Sequence, residues 1–292
     1  LETSSIAIDV KYTLLKYYYS LFIEKNGYGT IFRPVFFEFP NDVNLMTTEK
    51  LFVDREFLLG KALMAVPALE PGVTTVDAYF PADRWFDFFS GQVMHKQYDQ
   101  GAVYKNYPAP LNSTIPLFIR GGYIVQTQST KNVLRSDDLD NNYTLTIALK
   151  ETTSQNFQAS GKIVGVTDFS ESNIYQRCIQ NNCLLDVQAT ATSSTFKCET
   201  QIKFAAESTK VTLDKVGIAA VQIYGCFTDK TNPPNIPFIL NQAYLNGQAV
   251  GKSLQRGGPY DVFEMTISQN GRPVLVKSGD VLTITSQYVN QF

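Results

Sequence analysis

Apolar residues Ile6, Val10, Leu14, Tyr17 and Leu21 recur at intervals of three and four, the spacing of one helix face, and predict a helix over residues 5–26. The run NGYG ends it, with Gly27 suited to the left-handed residue past a helix end. The pattern then changes. In TIFRPVFF, and in RPVFFEFPND over residues 33–42, Val35, Phe36, Phe37 and Phe39 follow one another almost without a polar break. Such a run reads as a strand buried on both faces, the kind found in parallel sheets and barrels. Pro34 works against a central position, because it cannot donate to a ladder. A single helix and a two-sided strand leave backbone groups unpaired, so they must complete something that another segment supplies. NLMTTEKLFVDREFLLG then reads as a short helical excursion.

From about residue 58 the texture is that of a β protein. Short alternating or β-branched runs lie between Gly, Pro, Asn and Asp: ALMAVPAL, TTVDAYF, RWFDFFSG and PLFIRGGYIVQTQ. A second set follows the polar stretch QSTKNVLRSDDLDNN: YTLTIAL, GKIVGVTDF, CLLDVQATAT, STFKCETQIKFAA, STKVTLDKV, AAVQIYGCF, NQAYLNGQAV and DVLTITSQYV. Strands at this spacing predict a sandwich or barrel. Asn246-Gly247 in YLNGQAV marks a hairpin, since both residues tolerate the positive φ of a tight turn. No fixed-period repeat and no low-complexity tract interrupts this pattern. It gives one α/β piece followed by two antiparallel β regions.

Composition narrows the classes. The 292 residues have room for two or three domains, and 44% hydrophobic with 18% charged residues is an ordinary globular balance. A net charge of −2 carries no basic stripe for nucleic acid. No apolar run reaches the ~20 residues of a membrane span; LLGKALMAVPAL is interrupted by Lys61 and Pro67, and the chain reads as soluble. It begins at Leu1 and lacks the charged-then-apolar pattern of a signal peptide, which suits a trimmed or processed fragment. Asn112-Ser-Thr and Asn142-Tyr-Thr both fit the N-glycosylation sequon. Cys178, Cys183, Cys198 and Cys226 are an even set in a polar region, which suits disulfides in an oxidising compartment better than a zinc site. Of the three possible pairings, the favoured one closes a loop through Cys178–Cys183 and ties two strands through Cys198–Cys226.

Candidate chemistry is sparse. His95 lies in a polar, turn-like context and reads as an exposed loop residue. No G-x-S-x-G elbow occurs, and the RGG pairs in RGGYI and RGGPY are turns rather than phosphate cradles. Glu38 and Asp42 fall at the end of the buried strand, where barrel enzymes place their active sites. They fit either a glycosidase dyad or, as the plainer reading, backbone and Arg contacts in the following loop. Asp54 and Arg33 fit a buried ion pair at least as well as a catalytic role. The aromatic run DAYFPADRWFDFFSG carries Tyr79, Phe80, Trp85, Phe86, Phe88 and Phe89. It could be a sugar platform, but the fit to a strand pair filling a core around Trp85 is better.

Five segments between residues 12 and 128 resemble, in order and spacing, the C-terminal portion of glycoside hydrolase family 31: YTLLKYYYSLF, RPVFFEFPND, FVDREFLLGKALMAVPAL, VDAYFPADRWFDFFSG and APLNSTIPLFIRGGYIVQTQ. The resemblance is to the acid α-glucosidase and sucrase–isomaltase branch, and it loosens beyond residue 128. There, the family's acidic D-D-G-E-S turn is matched only by TDFSES. The fold implied is mainly β. Residues 1–48 supply the last helix and strand of a (β/α)8 barrel completed by an upstream segment, and residues 49–128 and 129–292 form proximal and distal antiparallel β-sandwich domains. The resemblance also implies a C-terminal subunit or fragment of an exo-acting retaining α-glucosidase hydrolysing α-linked glucosides. The family's nucleophile motif, of W-x-D-M-N-E type, is not in this sequence. No residue here inherits a catalytic role, and the chain alone should be inactive. The implied partners are the N-terminal portion of the same enzyme and, through it, an oligosaccharide. No cofactor or metal is expected, and a secreted, lysosomal or other secretory-pathway location is. The alternative is a non-catalytic carbohydrate-binding or structural secreted glycoprotein.

Overall fold

The computed structural model describes residues 2–46, 52–131, 142–165, 178, 183–194, 197–206, 216–226, 238–256 and 262–289. The chain divides into two compact units. One holds residues 1–12 and 28–121, the other residues 13–27 and 122–292.

The N-terminal helix is broken where sequence periodicity predicted it continuous. α1 spans Glu2–Thr13 and α2 spans Leu15–Glu24, with Leu14 between them at φ −95°, ψ 0°. Ile6 and Ile8 of α1 are exposed, whereas α2 buries Lys16, Tyr17, Ser20 and Ile23. The helical exit is as the sequence dictates. Gly27 has φ +79°, and its N–H donates to Phe22 O at 2.8 Å.

In the first unit the strands are β1 (Phe32–Pro34), β2 (Phe57–Leu59), β3 (Leu63–Ala65), β4 (Thr75–Phe80), β5 (Asp83–Asp87), β6 (Val93–Gln97), β7 (Ala102–Pro108) and β8 (Leu117–Arg120). Six make a sheet in the order β1-β2-β3-β8-β5-β6, every neighbouring pair antiparallel, while β4 and β7 pair separately. The apolar run at 33–39 is shorter as a strand than its hydrophobicity suggested. β1 has three residues, ends at Pro34 and is followed by a 3-10 turn over Val35–Phe37. Pro34 offers no N–H to a ladder, and Val35 O is taken by the N–H groups of Glu38 and Phe39, so the chain turns instead of extending. Nor is the run buried on both faces: Val35 is fully buried, but Phe32 and Phe37 are 60% and 50% exposed. The helical excursion predicted after it resolves into a short helix, α3 (Val43–Met46), a 3-10 turn over Phe52–Asp54 and β2, with residues 47–51 outside the described set.

The core of this unit gathers Val35, Leu58, Met64, Tyr79, Phe80, Trp85 and Phe118. β5, sequence DRWFD, is buried at every position, so its polar residues must find partners inside the protein. The aromatic run is therefore core rather than platform. Trp85 donates its indole N–H to Pro81 O at 3.0 Å, Phe80 meets Phe118 edge-to-face, and Phe89 alone of the named aromatics is strongly exposed.

The second unit holds β9 (Tyr123–Gln128), β10 (Asn142–Ala148), β11 (Lys150–Thr153), β12 (Asn156–Val164), β13 (Leu184–Ser193), β14 (Lys197–Ala206), β15 (Val216–Tyr224), β16 (Phe238–Leu245), β17 (Gln248–Arg256), β18 (Val262–Thr266), β19 (Ser268–Gln269), β20 (Arg272–Val276) and β21 (Val281–Val289). They form one large sheet in the order β17-β16-β21-β14-β13-β12-β9-β10-β15-β20-β19, with β11 on β12 and β18 on β15. The sheet is mixed and nearly closed, not an antiparallel sandwich. β10 runs parallel to β15, and Gly251 of β17 comes up against the Thr266 carbonyl of β18, where an added Cβ would lie 3.0 Å away. Alternation decides the inside. β13 buries Leu185, Val187, Ala189 and Ala191 while Gln188, Thr190 and Thr192 face out. The Asn246-Gly247 hairpin joins β16 and β17 with both turn residues at positive φ. α2 belongs to this unit: Ile23 packs with Val164 and Leu184, and Gln126 bridges the Lys16 carbonyl and the Val164 N–H.

Candidate functional site

Glu38 and Asp42 stand in the turn after β1 and border a cleft of about 460 Å³, together with Phe39, Asn44, Asp99 and Gln100. Their oxygens are engaged. Arg33 donates to Glu38 Oε1, and Arg120 Nη1 lies 3.8 Å from Glu38 Oε2. Arg120 also donates from Nε to Asp83 Oδ2 at 2.8 Å, and its guanidinium lies over the Phe39 ring at 4.4 Å. The other Asp83 oxygen accepts the Arg84 N–H at 2.8 Å. Two carboxylates and two guanidiniums thus share one partly desolvated network, in which each charge offsets the burial of the next. Asp54 has no part in it. It is exposed, and the ion pair foreseen for Arg33 is made with Glu38, because the 3-10 turn at Val35–Phe37 brings residue 38 back toward residue 33.

Asp42 is held from another side. The Tyr79 hydroxyl lies 2.7 and 2.9 Å from its two oxygens, and the Asn44 N–H donates to Oδ1 at 3.0 Å. Burial, and then the bond to Asp42, push the Tyr79 phenol well above its ordinary pKa, so it stays a donor. The Tyr79 backbone N–H donates at 3.0 Å to Glu56 Oε2, while Glu56 Oε1 has no hydrogen-bond partner. Burial of Glu56 raises its carboxyl well above the usual range; the Tyr79 N–H lowers it and the charge of Asp42 raises it further. Gly101 closes the cluster: a Cβ there would overlap the Tyr79 hydroxyl and lie 2.8 Å from Phe80 O.

Sequence reasoning missed Glu56, Asp83 and Arg120. A signal for the last two was available. Asp83 opens β5, a strand buried at every position, and Arg120 ends the otherwise apolar β8 beside it, so two opposite charges in adjoining strands must meet or remain orphaned. His95 was misjudged: it is 7% exposed, sits on β6 opposite Trp85, and its Nε2 is 2.8 Å from Gln100 O.

The remaining candidates lie elsewhere. Cys178 is joined to Cys183 and Cys198 to Cys226, both in the second unit. Asn112 is exposed in a turn and Asn142 is half-buried at the start of β10. The TDFSES stretch lies outside the described residues. Among the described residues no helix is long and apolar enough to cross a membrane, and no group of three or more His, Cys, Asp or Glu is placed to hold a metal.

Residues 28–125 match the glycosyl hydrolase family 31 C-terminal domain. The lysosomal acid alpha-glucosidase of Tetrahymena pyriformis is 32% identical over 234 residues, covering 77% of this chain and 25% of that protein. The alpha-glucosidase of Hordeum vulgare is 38% identical over 125 residues, 42% of this chain and 13% of that one. Of solved structures, the glucosidase II alpha subunit superposes with a TM-score of 0.63 at 16% identity, over 98% of this chain and 29% of its own. The Flavobacterium johnsoniae GH31 dextranase does so with 0.61 at 20%, over 98% and 32%. These two share the fold. The chain belongs to glycoside hydrolase family 31 and carries its C-terminal region. It spans about a quarter of the length of the Tetrahymena relative.

Proposed function

We propose that this chain is the C-terminal scaffold of an exo-acting, retaining α-glucosidase, and that the catalytic carboxylates come from a preceding part of the same enzyme. The observation that carries the reading is the engagement of Glu38. Of the acids placed where a barrel enzyme would keep its catalytic group, it has one oxygen on Arg33 and the other facing Arg120. A carboxylate whose two oxygens both face guanidiniums is engaged in structure and not free to meet a substrate, while a retaining glycosidase needs one acid and one free nucleophile ~5–5.5 Å apart. Residues 1–48 would then complete a (β/α)8 barrel, with residues 49–128 and 129–292 as its two β domains. The exposed Tyr28, Phe32, Phe37 and Val43 suit a segment made to be covered by that barrel. Identity to a lysosomal α-glucosidase, two sequons and two disulfides favour a secretory compartment.

The test is turnover of an α-linked glucoside by the full-length protein and its Glu38→Gln variant. Loss of a general acid costs ~10²–10⁴ in rate. A scaffold role predicts that Glu38→Gln keeps the per-folded-molecule kcat within a few-fold and lowers thermal stability. A large loss of kcat in a fully folded variant would return Glu38 to the catalytic machinery.

A further inference from the structure

The two sequons sit in different physical settings. Asn112 lies in an exposed turn where the Ser113 N–H donates to Pro110 O at 3.0 Å, and its carboxamide is open to solvent. On either side Leu111 and Ile115 are 74% and 50% exposed, an apolar surface that no described residue covers. Asn142 instead opens β10, inside the large sheet, and pairs in parallel register with Gly217 of β15. Its Oδ1 occupies the space a Cβ on Gly217 would need, so residue 217 has no room for a side chain and the Asn142 carboxamide lies against the neighbouring strand. The next residue, Tyr143, is fully buried, with its hydroxyl donating to Val164 O at 2.8 Å, and the Thr144 carbonyl accepts from Thr127 Oγ1 at 3.3 Å. A sugar on the Asn142 carboxamide would have to grow from a group wedged between strands, at the cost of the β10–β15 pairing.

We propose that the folded protein carries an N-linked oligosaccharide at Asn112 and none at Asn142. The donor is a lipid diphosphate-linked oligosaccharide. The Asn112 Nδ2 attacks the anomeric carbon and a C–N bond forms. The C–O bond to the diphosphate breaks, the diphosphate leaves with the bonding electrons, and one amide proton passes to base. Transfer precedes folding, so chains modified at Asn142 fail to close the sheet and are lost, while those modified at Asn112 fold with the glycan shading Leu111 and Ile115. The inference rests on the secretory reading above only for its occurrence in the native source.

The test supplies the compartment. The full-length protein is secreted from a eukaryotic host behind an added signal sequence. It is then deglycosylated by an amidase in heavy-oxygen water and mapped by mass spectrometry, which marks each formerly glycosylated Asn as labelled Asp. Label at Asn112 in most molecules and none above background at Asn142 is the expected result, with Asn112→Gln losing one glycan's worth of mass and Asn142→Gln losing none. Unlabelled Asn112 in folded, secreted protein overturns the proposal. Label at Asn142 in folded, secreted protein overturns it equally. Because entry to the pathway is enforced, neither failure reflects on the secretory reading. That reading fails separately if protein from its own source carries no glycan and free thiols.

Discussion

The Tyr79 hydroxyl reaches across 37 residues of sequence to lie within 2.9 Å of both oxygens of Asp42. A tyrosine at the end of a core strand therefore fixes the turn on which both acids at the mouth of the cleft are carried. Hydrogen bonds to charged groups contribute ~1.5–3 kcal/mol, so Tyr79→Phe should lower stability by about that much. In a double-mutant cycle with Asp42→Asn, measured by denaturant melts, the coupling should be ~1–2 kcal/mol. Additive effects would mean that the contact does not hold the turn.

Glu56 gives a pH dependence whose sign is fixed by its surroundings. Burial raises its folded pKa above the unfolded value, so the folded state holds the proton more tightly. Its contribution to stability is full below about pH 4.5, the unfolded carboxyl range, and declines as pH rises toward the folded pKa. Glu56→Gln keeps an acceptor for the Tyr79 N–H and removes the titration. Melts across pH 4–8 should show the decline in the parent and a flatter curve in Glu56→Gln. Glu56→Ala should lie ~1–3 kcal/mol below Glu56→Gln at every pH, because it orphans that N–H.

Gly101→Ala should be among the more damaging small substitutions in the first unit. The new methyl overlaps the Tyr79 hydroxyl and presses on the Phe80 carbonyl, and overpacking of this kind costs ~1–3 kcal/mol or more. Tyr79→Phe in the same chain should recover part of the loss, because it removes the atom in the way. A double variant no better than the sum of the singles, judged by thermal melting, would place the strain elsewhere.

Arg120 serves Asp83, Glu38 and the Phe39 ring at once. Arg120→Met takes the guanidinium from Asp83, in the fully buried strand β5, and from the Glu38 oxygen that Arg33 does not hold, and should cost ~3–5 kcal/mol. Arg120→Lys keeps the charge but not the fork that reaches two carboxylates while lying flat on a ring, so it should recover less than half. Full recovery by Lys, in calorimetric melts, would reduce the network to simple charge balance.

Periodicity and turn chemistry made much of this molecule legible. The hairpin at Asn246-Gly247, the helix stop at Gly27 and the burial around Trp85 all follow from local residue types whose physics acts within a few positions. What did not follow depends on partners far away in sequence. The run at Val35–Phe39 looked like a long strand because hydrophobicity counts apolar atoms, not donors, and Pro34 with the competing bonds to Val35 O ended it. His95 looked exposed because its flanks are polar, yet pairing with β5 buries it. Glu56 gave no sign at all. A lone acid in REFLLG becomes notable only once the strand carrying Tyr79 arrives beside it.

The place of β21 in the large sheet has a consequence for synthesis. It lies between β14 and β16, so the two strands it joins cannot be neighbours until residues 281–289 have left the ribosome. From the end of β14 that is a wait of roughly 4–16 s at ~5–20 residues per second. Meanwhile β14 presents an open edge, the kind of surface that invites a strand from another chain. The second unit therefore closes late, and at an interior strand. A nascent chain stalled after β17 and before residue 281 leaves an unsealed seam in the sheet rather than a shortened copy of it, and that half-made sheet is where chaperone dependence of this region would arise.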